Sequence, residues 1–241
     1  SLRFVNFGFN YHKSKNFNRL FSMGGALDNM SQSFQLAQEM ERYGLTESEF
    51  NDILDAKNPY TKYWNQLPVL GVMGVRTGVV DWFNDPEKNI HAPWGGNGFN
   101  NNFFSKETGG ISQYDFNVSF NIEDRVYLGA TLGVYDVNYD RYTSYTENLN
   151  DDKGADNGGY TLDNYYRLEG TGMDLKLGVI VRPIESSPFR LGFAVHTPTW
   201  YDLRESYNAT LSSDILAYEK PYIQTLSDFL VTPEYDYLTY D

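Results

Sequence analysis

The sequence predicts a mainly β chain: an antiparallel sheet of the kind that walls a transmembrane β-barrel, partial and not closed, with a helical extracellular insertion. Three observations predict it. Apolar and polar residues alternate along several segments. Short connections at one end of those segments contrast with long ones at the other. Aromatic residues make up 17% of the chain, with 20 Tyr and 16 Phe, a palette that suits β-structure better than a helical bundle. No stretch of 18 apolar residues occurs, so a spanning helix is not expected. A soluble antiparallel sheet with one wet face gives the same alternation, and spacing alone leaves both forms open.

The 241 residues are read as one partial domain, 1–241. Its opening segment sets Val5, Phe7, Phe9 and Tyr11 against Asn6, Gly8 and Asn10. Ser1 to Phe4 already read as strand, as expected of a mature end or a fragment. A helical insertion is expected over 20–83. Asp28 to Lys57 reads helical, with Leu27, Met30, Phe34 and Met40 on one face, and Gly44 is a C-cap candidate. Thr46 to Glu49 resembles a capping box that opens a second helix through Phe50, Ile53 and Leu54. Pro68 to Trp82 suits a third helix or a strand, and residues 84–110 read as irregular loop.

Two hairpins follow, at 111–141 and 171–207. In the first, Tyr114, Phe116, Val118, Phe120 and Ile122 return as Val126, Leu128, Ala130, Leu132 and Val134, across a turn at Glu123-Asp124. In the second, Met173, Leu175, Leu177, Val179 and Val181 precede Phe189, Leu191, Phe193 and Val195. Tyr201, Leu203 and Tyr207 suggest that the last strand continues past Pro198. Residues 142–170 and 212–241 are read as long extracellular loops.

The net charge of −13 disfavours a nucleic-acid partner, whose affinity comes from neutralised phosphates, and disfavours docking on an anionic leaflet. With no Cys, disulfides and thiolate metal sites are excluded.

Several motifs resemble a known family. Phe7-Gly8-Phe9-Asn10-Tyr11 with Asn16-Phe17-Asn18-Arg19, Gly110 to Phe116, and Tyr127 to Val134 are similar to wall strands of the outer-membrane transporters of long-chain fatty acids and toluene (FadL/TodX-like). Gly170 to Val179, Arg182-Pro183 and Arg190 to Pro198 are similar to that family's Gly-rich strand, Arg-Pro periplasmic turn and returning strand. The resemblance implies passive uptake of hydrophobic molecules across the outer membrane of a Gram-negative bacterium. It implies no cofactor and no enzymatic activity. The lipid bilayer and a hydrophobic small molecule are the expected partners. Members of the family carry an N-terminal hatch and further strands, so the chain reads as a front-middle section. Such a section is expected to self-associate through strand edges or its apolar face.

The candidate ligand groove is Met30, Phe34, Leu70, Met73 and Trp82, since a carrier of greasy molecules needs adaptable apolar side chains that exclude water. The competing reading is that these residues hold the helices together. His12, His91 and His196 match no metal or catalytic motif; His12 or His91 is the loop candidate for a haem ligand, a lower-ranked alternative. Asn150 to Gly158 offers oxygen ligands for Ca²⁺ without EF-hand spacing, and reads as an acidic loop. Gly95 to Gly98 resembles a phosphate loop but lacks its Lys. Asp115 and Asp174 are expected to pair with Lys176 or Arg190 across strands. Trp200 is the best interfacial anchor, with Trp64, Trp82 and Trp94 as core candidates. A surface binding or adhesion module without transport is the main alternative. A soluble enzyme domain ranks last, because no catalytic set accompanies the carboxylates.

Overall fold

The structure, a computed structural model, describes residues 2–28, 30–57, 59–63, 66–85, 90–150, 154, 156–215, 222–225 and 234–240. They are mainly β, arranged as one large antiparallel sheet that is not closed, with a helical insertion. No helix among them is long and apolar enough to cross a membrane.

Three long strands form the body: β5 (Asn97–Ile122), β6 (Val126–Asn150) and β7 (Asp156–Val181). They are preceded by β1 (Leu2–Asn16), β2 (Arg19–Ala26) and a small separate hairpin of β3 (Val80–Asp85) with β4 (Ile90–Gly95). They are followed by β8 (Leu191–His196), β9 (Thr199–Ser213), β10 (Tyr222–Thr225) and β11 (Glu234–Tyr240). β1 and β2 lie end to end along β5, and β8 and β9 lie end to end along β7. β10 and β11 both return along β9. The sheet is therefore six strand positions wide.

The alternation expected in both hairpins is present, and its continuation past Pro198 is β9. The β5–β6 turn places Glu123 and Asp124 at φ 55° and 57°. Asn121 supports it, donating to and accepting from Asp124 at 2.8 and 3.0 Å. Other boundaries differ from the sequence reading. Residues 97–110 and most of 142–170, read as loop, are strand in register: Asn102 faces Thr146 and Tyr145 faces Leu162. Residues 20–26 and 80–83, placed in the helical insertion, are strand, and the second strand runs on through 84–85, read as loop. Within 212–241, read as loop, lie β10 and β11. Cross-strand pairing decides all of these, and local composition does not reveal it.

The insertion holds α1 (Gln32–Arg42), α2 (Glu47–Asp55), the short α3 (Pro59–Tyr63) and α4 (Val69–Thr77). Ser31 caps α1, and Gly44 follows it at φ 77°. The Thr46–Glu49 capping box is complete in both directions. α4 resolves the Pro68–Trp82 ambiguity: helix to Thr77, then strand from Val80. Leu36, Met40, Phe50, Ile53, Val72, Met73 and Val75 form its core. That core continues into Leu149, Tyr160, Leu162, Ala209 and Leu211 of the large sheet. These sheet residues share one face, and the insertion is seated on that face at the end away from the tight turns.

Candidate functional site

Period-two geometry gives the sheet two faces. The face under the helices, here the insertion face, carries Asn10, Asp115, Gly133, Tyr135, Asp174 and Tyr201 in paired register. The opposite face carries an apolar belt. Reading across the strands, Tyr11, Tyr114, Val134, Met173 and Trp200 form one row. Below it come Phe9, Phe116, Leu132 and Leu175, then Phe7, Val118, Ala130, Leu177 and Val195. Val5, Phe120, Leu128, Val179 and Phe193 follow, and Ile122, Val126, Val181 and Leu191 complete it at the turns. Phe7 is 83% and Phe193 70% exposed.

The belt ends sharply. The next row away from the turns is Lys13, Ser112, Asp136, Thr171 and Asp202. From Val126 to Val134 the belt occupies about 27 Å of strand, and about 20 Å of height at a barrel strand's usual tilt. The apolar band of outer-membrane barrels is ~25 Å tall. Tyr11, Tyr114 and Trp200 in the boundary row place amphipathic rings where an aromatic girdle belongs. A solvated sheet of this size would leave a contiguous apolar surface of a kind that monomeric soluble proteins rarely expose.

On the insertion face at belt level, charges are tied together. Lys176 Nζ lies 3.6 Å from both Asp115 Oδ1 and Asp174 Oδ1. Gln113 donates to Asp115 at 2.9 Å, and Tyr135 donates to Asp174 at 2.6 Å. The expected pairing is thus made by Lys176, while Arg190 lies over the Tyr127 ring. Gly133 permits the knot: a Cβ there would sit 2.4 Å from Asp174 Oδ1 and 3.3 Å from Asp115 Oδ1.

Between belt and insertion, the insertion face is Tyr-rich. Tyr139 packs edge-on against Tyr166 and Phe17. Burial, with the hydrogen bond to Glu205, pushes the Tyr166 phenol up to about 12. Under the insertion, Glu147 is fully buried. Its Oε2 accepts from Tyr145 (2.6 Å), Tyr160 (2.9 Å) and the Gln32 backbone N–H (3.1 Å). Burial, then the bond to Glu147, pushes Tyr145 up to about 12; burial and the Glu147 charge drive Tyr160 upward as well.

The five groove candidates differ in their exposure. Met73 is 0% exposed, so it lies inside the helical core and reaches no open groove. Leu70 and Trp82 are half-buried against that core, and Trp82 stacks near Phe50 at 5.7 Å. Phe34 is half-buried on α1, and Met30 is 68% exposed before it. The Gly95–Gly98 run serves close approach. A Cβ on Gly95 would lie 2.4 Å from the Ser33 carbonyl carbon, and one on Gly98 2.1 Å from the Met30 carbonyl oxygen. His12 and His196 are exposed in strands, and His91 is exposed in the β3–β4 hairpin. Among the described residues no three His, Cys, Asp or Glu side chains gather as a metal site. Asp151, Asp152, Lys153 and Ala155 of the acidic loop, Trp64, and the Trp94 side chain lie outside the described residues.

Sequence reasoning singled out Asp115, Asp174, Lys176 and Trp200 but missed Glu147 and Tyr160. Its available signal was one Glu on the face that also carries Tyr145, in a segment read as loop. Searches find no family model, no curated protein and no solved structure that matches the chain.

Proposed function

We propose that the chain forms part of the wall of an outer-membrane β-barrel of a Gram-negative bacterium, and that this barrel admits hydrophobic molecules passively. The observation that carries the wall reading is the apolar belt, five rows deep and cut off at the Lys13–Asp136–Asp202 row. Its height and aromatic border fit a bilayer. The paired charges of the opposite face fit a wetted lumen, over which the insertion sits as a cap. The cargo, long-chain fatty acids or aromatic compounds, rests on the resemblance of Gly170–Val179 and Arg190–Pro198 to transporters of such compounds. No cofactor enters this reading. Without a membrane, the belt and the border strands β1 and β2 offer surfaces through which copies of the chain associate.

The length of the strands beyond the belt favours one second reading. β5, β6 and β7 each run over a dozen residues past it. A wall that projects so far from a bilayer also suits a surface-exposed binding or adhesion module. Reconstitution of the full-length protein in lipid vesicles separates the readings. Heat-modifiable insertion with faster entry of a fluorescent fatty acid or naphthalene probe than in protein-free vesicles is expected. Insertion without entry favours the binding module. Failure to insert removes the wall reading.

A further inference from the structure

Glu147 is an unusual residue to find in the wall. Its side chain is fully excluded from water, and Oε1 has no hydrogen-bond partner while Oε2 accepts three hydrogen bonds. A buried carboxylate with an unsatisfied oxygen is costly, and such groups persist where they do a specific job. Two of its donors, Tyr145 and Tyr160, belong to the wall, so Glu147 is held by the sheet. The third, the Gln32 N–H, is in the first turn of α1 and belongs to the insertion. That turn contains no acidic residue of its own, although its N–H groups and dipole favour a negative charge. The wall supplies it. Gly98, on the neighbouring strand, leaves the space: its absent Cβ would sit 2.9 Å from Glu147 Oε1 and 2.1 Å from the Met30 carbonyl oxygen.

We propose that Glu147 is a latch. Its carboxylate docks the start of α1 on the sheet, and loss of that contact lets the first turn of α1 lift from the insertion face and uncover the path behind it. The contact is the charge-assisted attachment at the α1 end of the insertion; the apolar core around Met40 and Met73, which continues into Leu149, Tyr160 and Leu211 of the sheet, stays packed when that end opens. The latch itself rests on the contacts above; the opening of a path rests on the barrel-wall reading.

Two variants of the full-length protein test it from opposite sides. Glu147→Gln removes the charge at constant size. Gly98→Ala keeps the Glu147 side chain but drives a Cβ between Glu147 Oε1 and the Met30 carbonyl oxygen, wedging the start of α1 away from it. In both, hydrogen–deuterium exchange of the α1 amides is expected to rise by at least about tenfold, the loss of one hydrogen bond to a charged group. Exchange in the belt segments of β6 and β7 stays as in the wild type. Conductance across a planar bilayer rises in both variants. Unchanged α1 exchange in the two variants overturns the latch, and so does equal loss of protection in the wall, which would make Glu147 a general folding residue. Faster α1 exchange without a conductance rise overturns the gate. A wild-type protein that never inserts in the bilayer defeats the wall reading, and exchange still decides the latch.

Discussion

Ala130 and Gly129 are adjacent in β6 and point to opposite faces, so the same substitution at each gives opposite results if the belt meets lipid. Ala130 lies in the middle row, between Val118 and Leu177, with Phe7 and Val195 further along it. An Arg at the lipid midplane of a barrel costs about 2–4 kcal/mol. Ala130→Arg is therefore expected to lower the folding equilibrium constant in vesicles by about 30- to 900-fold. At Gly129 a new side chain meets nothing within 4 Å on the insertion face. Gly129→Arg should stay within about 0.5 kcal/mol of wild type, as substitutions on wet surfaces do. The assay is denaturant unfolding of the full-length protein in lipid vesicles, with each variant compared at equal denaturant slope. Equal effects at the two positions, or a larger one at Gly129, would refute the assignment of faces.

Three further outcomes follow from the packing and electrostatics. Met73→Ala should destabilise the insertion by about 2–5 kcal/mol, because Met73 is 0% exposed in its core, and Trp82 fluorescence beside that core reports the loss. Gly133→Ala should lower stability by about 1–3 kcal/mol by forcing its Cβ onto Asp174 Oδ1, a displacement that also breaks the 2.6 Å Tyr135 bond; a variant as stable as wild type in denaturant titration would argue against the knot. Tyr145 and Tyr160 are both raised, so the folded state favours the neutral phenols; their contribution is intact below the ordinary value of 10.0 and is lost at higher pH, for Tyr145 as pH rises through about 12. Denaturant stability of the insertion, followed by Trp82 fluorescence, should fall across that alkaline window and stay flat between about pH 7 and 9.

Much of the sheet is legible in the sequence because its belt repeats every second residue. Phe116, Val118 and Phe120 alternate with Asp115, Asn117 and Ser119, and that pattern has one compact solution. Thr46 and Glu49 announce α2 equally well, since capping is a local event. The upper strands are not legible in this way. Asn100, Asn101 and Asn102 carry turn composition, yet they are strand because β6 offers Asn148, Glu147 and Thr146 as partners. The alternation also fades above Val134, where the belt face turns polar and the insertion face mixes Val137, Leu149 and Leu162 with Tyr and Glu, so hydropathy no longer marks the strand. The exposure of the groove candidates was not legible for a related reason. Met30, Phe34 and Met73 share a composition suited to ligand capture, but helix packing decides which of them touches water, and it buries Met73 fully. Glu147 stayed hidden because its role depends on Gln32, 115 residues away in sequence.

The central claim, that the belt faces lipid, is tested most directly by scanning single Cys substitutions from Val126 to Asn138, in a chain with no Cys of its own. Each would carry a fluorescent label in the reconstituted full-length protein, exposed to a lipid-phase quencher and to an aqueous one. The account predicts lipid-phase quenching at Val126, Leu128, Ala130, Leu132 and Val134, aqueous quenching at the residues between them, and aqueous quenching at Asp136 and Asn138. Aqueous quenching throughout, or lipid-phase quenching that continues through Asp136 and Asn138, would contradict it.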